Sequence, residues 1–73
     1  MNDKIKIFDV VAVISDLPDI GLKQGQVGTV VESLGPNAFE VEFCDNNGKT
    51  YATSPLHSDQ LLVLHYENLS AVA

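Results

Sequence analysis

The stretch that decides the fold is Ala38-Phe39-Glu40-Val41-Glu42-Phe43, in which apolar and charged residues alternate strictly from Phe39 onward. This alternation is typical of a β-strand that turns its aromatic and valine side chains to a core and its two glutamates to solvent. Asp45-Asn46-Asn47-Gly48 follows at once, and Asn-Gly between two strand-like runs is a strong hairpin signal. The segment therefore predicts two antiparallel strands, at residues 38–43 and 49–54.

Three further strands are predicted at residues 9–14, 27–34 and 61–65, which are short runs rich in β-branched or other apolar residues. Gly28 in the second of the five strands indicates a bulge or a close approach of two backbones. Pro55 is expected to end the fourth strand. Ser58-Asp59-Gln60 is expected to form one helical turn before the fifth.

A long loop is predicted between the first two strands, over residues 15–26, because Pro18 and two glycines break any regular period there. Loops of this length in small domains often bind a partner. Three apolar residues are expected to tie this loop to the body of the domain: Leu17, Ile20 and Leu22.

These elements predict an all-β fold, a small five-stranded SH3-like barrel, because closing short strands into a barrel buries their edges. The 73 residues allow one domain, with a core at about residues 7–66 and a flexible N-terminus and C-terminal tail. Length alone disfavours most enzyme architectures, which need longer chains.

The charge of the chain bears on its partners. Ten acidic residues against four lysines and no arginine give a net charge of −6. Nucleic acids and anionic membranes are recognised through clustered cations, so both are disfavoured as partners. A negative surface favours a basic protein instead, although it also simply keeps a small protein in solution.

The residues able to do chemistry are few and show no known pattern. Cys44, His57 and His65 match no zinc spacing, and no catalytic constellation or cofactor motif is present. The sequence therefore predicts no enzyme, no metal site and no cofactor. A single cysteine, with no signal-peptide pattern, points to a reducing compartment and a cytoplasmic protein.

Four segments carry a resemblance to a known family: residues 8–13, 21–32, 39–43 and 59–62. In these the chain resembles the small bacterial family Domain of Unknown Function 4926, over about residues 7–66. It is more remotely similar to the SH3-like barrels of nitrile hydratase β subunits and of photosynthetic electron-transport accessory subunits, which dock on larger proteins. The resemblance implies a docking role, in a narrower form that of an antitoxin or immunity protein.

The leading hypothesis is a non-enzymatic, acidic protein-interaction module whose partner is basic or has an apolar groove. The expected binding residues are Leu17, Pro18, Asp19, Ile20, Leu22, Glu40 and Glu42. The alternative is an accessory subunit or docking domain of an enzyme or electron-transfer complex. A homodimer through an edge strand, at residues 61–65, also stays open.

Overall fold

A computed structural model describes residues 4–71, which form one antiparallel sheet of five strands. The strands are β1 (Val10–Val13), β2 (Val27–Gly35), β3 (Ala38–Cys44), β4 (Thr50–His57) and β5 (Leu61–Val63). They lie in the order β4-β3-β2-β1-β5. Three single 3₁₀ turns accompany them: η1 (Pro18–Ile20), η2 (Ser58–Gln60) and η3 (Leu69–Ala71). The described part of the chain contains no α-helix, and the predicted all-β class is confirmed.

Strand β3 lies between β2 and β4 and follows the predicted alternation. Its aromatic and valine side chains, Phe39, Val41 and Phe43, are buried on one side of the sheet, here called the inner face. Its glutamates lie on the opposite, outer face, as the period of two requires. The hairpin to β4 turns at residues 45–49, where the N–H of Gly48 donates to the carbonyl of Asp45 at 3.0 Å.

The β2–β3 ladder shifts register twice, between Val30 and Glu32 and between Ser33 and Gly35. Each shift leaves an extra residue on β2, Val31 and then Leu34, and such bulges increase the twist of a strand. The inner faces of all five strands, with one loop residue, supply a single core. Its members are Val11, Val13, Leu22, Val30, Phe39, Val41, Phe43, Leu56 and Leu61.

Gly28 lies in β2 directly between Val11 of β1 and Phe43 of β3. A β-carbon at this position would lie 2.7 Å from Cγ1 of Val41 and 2.9 Å from the carbonyl oxygen of Glu42. Both distances are shorter than real side chains allow. The predicted close approach is therefore confirmed, and the bulges lie further along the strand.

The prediction that Pro55 ends the fourth strand is wrong, because β4 continues to His57. Proline lacks a backbone N–H and is excluded from the middle of a sheet. β4 is an edge strand, however, and an edge strand tolerates proline because its outer side needs no ladder partner.

The predicted closure into a barrel is not seen, since no ladder within residues 4–71 joins β4 to β5. The expected turn before the fifth strand is η2, which follows β4 without a gap. It is fastened to the β2–β3 hairpin through the N–H of Ser58 and the carbonyl of Asn37, at 2.9 Å. β5 has only three residues, and all three pair with β1.

The ends of the domain differ in part from the prediction. Ile5 packs against the core, so the core begins before residue 7. Tyr66 is exposed, and the chain after it forms η3, where Oδ1 of Asn68 accepts from the N–H of Ser70 at 3.1 Å. The expected flexibility of the two ends falls in part on residues 1–3 and 72–73, which lie outside the described residues.

Candidate interaction surface

The loop between β1 and β2 is held closed by its own backbone. Leu17 and Leu22 exchange two hydrogen bonds, with N···O distances of 2.8 and 3.1 Å, and η1 fills the three positions that follow Leu17. At the base of the loop, where it meets the end of β1, the N–H of Gly25 donates to the carbonyl of Val13 at 2.7 Å. The loop thus presents a defined surface at its tip.

The binding residues predicted on this loop divide into buried and exposed groups. Leu22 is only 2% exposed and belongs to the core, so it does not fit the predicted role of a surface anchor. Leu17 is half-buried and packs against the same core. Pro18, Asp19 and Ile20 form η1 and are exposed. The surface of the loop tip is therefore made of these last three residues.

The outer face carries three carboxylates, which together we call the acidic face: Glu32, Glu40 and Glu42. Glu32 of β2 lies directly opposite Glu40 of β3 in the ladder, and Glu42 lies two residues along the same strand. Oε2 of Glu42 accepts a hydrogen bond from Oγ1 of Thr50 at 2.8 Å. No lysine amine of residues 4–71 is within ion-pair distance of these groups, whereas Lys6 reaches Asp9 at 3.9 Å.

Glu32 was not among the predicted binding residues. Counted from the buried Gly28, strict alternation would put Val31 outside and Glu32 inside. The register shift at Val31 reverses this order and turns Glu32 outward beside Glu40. Residues 29–34 hold no glycine or proline that would mark the position of the shift.

The loop tip and the acidic face are separate parts of the surface. Val27 begins β2 at the loop, and Glu32 lies five residues further along that strand. At about 3.3 Å per residue this places Glu32 roughly 17 Å from the loop end of the strand. A partner that touches both must cover most of the length of β2.

Two separate side-chain hydrogen bonds lie between these two parts, on neighbouring residues of β4. Nε2 of Gln26, at the base of the loop, donates to Oη of Tyr51 on β4 at 2.9 Å. The neighbouring residue, Thr50, holds Glu42. The Tyr51 ring also lies against Phe43, with 6.3 Å between the ring centroids. Gln26 and Tyr51 were missed by the sequence analysis, because neither belongs to a motif and they are distant in sequence.

The remaining chemical groups are scattered. Cys44 is exposed at the end of β3, with its Sγ 3.6 Å from Oγ1 of Thr50. His57 ends β4, and Nδ1 of His65 lies 3.9 Å from Glu67 beyond β5. Among the residues that the structure describes, no three histidine, cysteine or acidic side chains are placed to share a metal ion. Nor does any helix of that part have the length and apolar character needed to cross a membrane.

Fold and surface together define a small all-β domain, built on one open antiparallel sheet, with three glutamates grouped on its outer face. The chain belongs to the family described as domain of unknown function DUF4926, whose model matches residues 7–63. Comparison with curated proteins and with solved structures finds no match.

Proposed function

We propose that the protein is a non-enzymatic interaction module that binds a basic protein partner through the acidic face and the loop tip. The observation that carries the proposal is the pair formed by Glu32 and Glu40, which are direct cross-strand neighbours. Like charges in such positions destabilise a sheet by roughly 0.2–1 kcal/mol. For a chain of 73 residues, whose total stability is on the order of 4–11 kcal/mol, this is a noticeable cost. A cationic group of a partner would be attracted by both glutamates and would relieve the repulsion between them.

Burial of the acidic face supports the same proposal. Glu40 and Glu42 are both partly buried between β2 and β4, and the hydrogen bond from Thr50 holds the carboxylate of Glu42 in place. Fixed groups lose less conformational entropy when they bind. At the loop tip, Pro18 and Ile20 offer a rigid apolar contact beside Asp19. Such a mixture of apolar anchors and charged rim is typical of protein interfaces.

The finer fold assignment is part of the proposal. We assign the sheet to the SH3-like group, as an open form of that barrel. The support is its strand order, in which β1 lies between β2 and β5, and the 3₁₀ turn that directly precedes β5. The long β1–β2 connection is in keeping with the same group. Under this assignment the protein acts through its outside, because its core side chains fill the inner face.

A pull-down from the native cells with matched charge variants tests the proposal. Glu40→Lys reverses one charge on the acidic face, and Glu67→Lys makes the same change in net charge on the chain after β5. Wild type and Glu67→Lys should capture the same partner, and Glu40→Lys should lose it. Capture should also weaken with added salt, because exposed charges are screened. A partner retained equally by all three proteins would contradict the proposal.

The narrower form of the proposal is an antitoxin, in which the partner is a toxic basic protein. It is tested by expressing the product of a neighbouring gene with and without this protein. Growth should be rescued by the wild type and not by Glu40→Lys. A neighbouring product that is harmless alone would exclude this form and leave the general proposal standing.

A further inference from the structure

We propose, on the basis of the function proposed above, that Phe8 is an apolar anchor beside the acidic face and that the basic partner binds there with a cationic amphipathic helix. Phe8 lies in the N-terminal turn, the name used here for residues 6–9, in which the N–H of Asp9 donates to the carbonyl of Lys6 at 3.0 Å. The side chain of Phe8 is 76% exposed, and that of its neighbour Ile7 is 48% exposed. The turn therefore presents two large apolar side chains to solvent.

The backbone of Phe8 is strained. Its φ of 74° lies in the left-handed region, and within residues 4–71 no other residue apart from glycine has a positive φ. Phe8 is the third residue of a turn in which only this φ is positive, as in a type II turn, where glycine or asparagine is usual. Neither burial nor backbone preference thus accounts for a phenylalanine here. Residues held in such a conformation cluster at functional sites.

Hydrogen bonds on both sides of Phe8 hold the turn in this conformation. The N–H of Phe8 donates to the carbonyl of Val30 on β2 at 2.6 Å. Oδ2 of Asp9 accepts from the N–H of Lys6 at 2.8 Å, and Oδ1 of Asp9 lies 3.9 Å from Nζ of Lys6. A side chain on a backbone that is fixed before binding loses less conformational entropy when it binds. Phe8 is therefore presented in advance, as an anchor residue of an interface should be.

The N-terminal turn adjoins the acidic face. Val30, which accepts the hydrogen bond from Phe8, precedes Glu32 by two residues on β2, and Glu32 lies opposite Glu40. One strand spacing and two residues along the strand place the Cα atom of Phe8 within roughly 8 Å of that of Glu32. Val31, the bulge residue next to Glu32, is itself 38% exposed. Apolar and acidic groups therefore lie side by side at this part of β2.

The chemistry of this surface selects an amphipathic helix as its occupant. No lysine of residues 4–71 neutralises the acidic face, so its carboxylates favour cations. The exposed ring of Phe8 favours apolar side chains. Both kinds of group lie within about 10 Å, which is the diameter of an α-helix with its side chains. A single helix with adjoining apolar and cationic sides can thus contact Phe8 with one side and the pair Glu32 and Glu40 with the other.

The melting temperature of Phe8→Gly is the first test, because it needs no partner. Glycine adopts a φ of 74° without strain, so Phe8→Gly should melt at the wild-type temperature or up to about 8 °C above it. Tyr66→Gly is the matched control, because it removes an aromatic side chain that is 88% exposed and whose φ is not positive. It should melt at or slightly below the wild-type temperature. A large fall for Phe8→Gly would make Phe8 a structural residue and overturn the proposal.

Binding of a synthetic helix is the second test. The probe is a peptide of about 18 residues, or five helical turns, made of leucine and lysine with the leucines along one side. A second peptide has glutamine in place of every leucine and carries the same charge. Wild type and Tyr66→Gly should bind the leucine peptide at least about tenfold more tightly than the glutamine peptide, as measured by calorimetry. Phe8→Gly should lose that difference.

Glu40→Lys separates a failure of the anchor from a failure of the acidic face. It should weaken the binding of both peptides, because both are cationic. If it binds both as the wild type does, the acidic face is not a binding surface and the function proposed above is refuted as well. If Glu40→Lys weakens both peptides while Phe8→Gly still prefers the leucine peptide, only the anchor is excluded. A wild type that binds the two peptides equally would exclude the amphipathic helix. Circular dichroism of each variant would first establish that it is folded.

Discussion

Replacing Gly28 by alanine is the sharpest test of how the sheet is packed. The added methyl group would lie 2.7 Å from Cγ1 of Val41 and 2.9 Å from both the carbonyl oxygen of Glu42 and Cδ2 of Phe43. Overpacking a core costs about 1–3 kcal/mol. We expect a value near the upper end, because one of the three neighbours is backbone and cannot turn aside.

The net effect also includes the unfolded chain. Alanine restricts that chain more than glycine does and stabilises the fold by about 0.4–1 kcal/mol wherever the native backbone tolerates it. Subtracting this gain leaves a net loss of about 2 kcal/mol for Gly28→Ala. In a domain of this size each kcal/mol shifts the melting temperature by about 4–8 °C. Gly28→Ala should therefore melt roughly 8–16 °C below the wild type.

Gly35→Ala is the matched control, because it lies in the same strand and an added β-carbon meets no atom within 4 Å. It should melt at or slightly above the wild-type temperature. Calorimetry or circular dichroism on the three proteins gives the comparison. If Gly28→Ala melts as high as Gly35→Ala, the close approach of β2 and β3 described above is refuted.

Three further predictions concern stability in urea. Leu22→Ala should lose about 2–5 kcal/mol, as buried leucines do, while the exposed Ile20→Ala should change the free energy of unfolding by less than about 0.5 kcal/mol; similar losses would contradict the placement of these side chains. Glu32→Gln should stabilise the fold by about 0.2–1 kcal/mol by relieving repulsion with Glu40, and high salt should shrink that gain; a loss would argue against the opposed pair. Asp45→Ala should cost about 1 kcal/mol, because Oδ1 accepts from two hairpin N–H groups at 2.9 and 3.0 Å, and an unchanged midpoint would show that the turn does not need them.

The sequence predicted the elements whose signal is local. The strict alternation in β3 and the Asn-Gly pair after it identify one hairpin, and neither depends on distant residues. The role of Gly28 was also predictable, because a glycine inside a strand usually marks a bulge or a close approach of two backbones. Pro55 led to a wrong end for the fourth strand because its effect depends on distant residues. Proline is excluded from a strand paired on both sides but tolerated in an edge strand such as β4.

The features that sequence reasoning missed are those set by partners far along the chain. Barrel closure requires β4 and β5 to meet, and β5 has only three residues, all paired with β1. Glu32 joins the acidic face only because of a register shift against β3. Leu22 was expected to face a partner as well as the core, and its burial in the core decides between the two roles.

The proline on β4 also has a consequence for the behaviour of concentrated protein. A sheet with two adhesive edges can add copies without end and form fibres, whereas a sheet with one adhesive edge stops once that edge is covered. Because Pro55 lacks a backbone N–H, it disfavours the addition of another strand at the β4 edge. The residue that was expected to terminate a strand instead protects the sheet edge on which that strand lies.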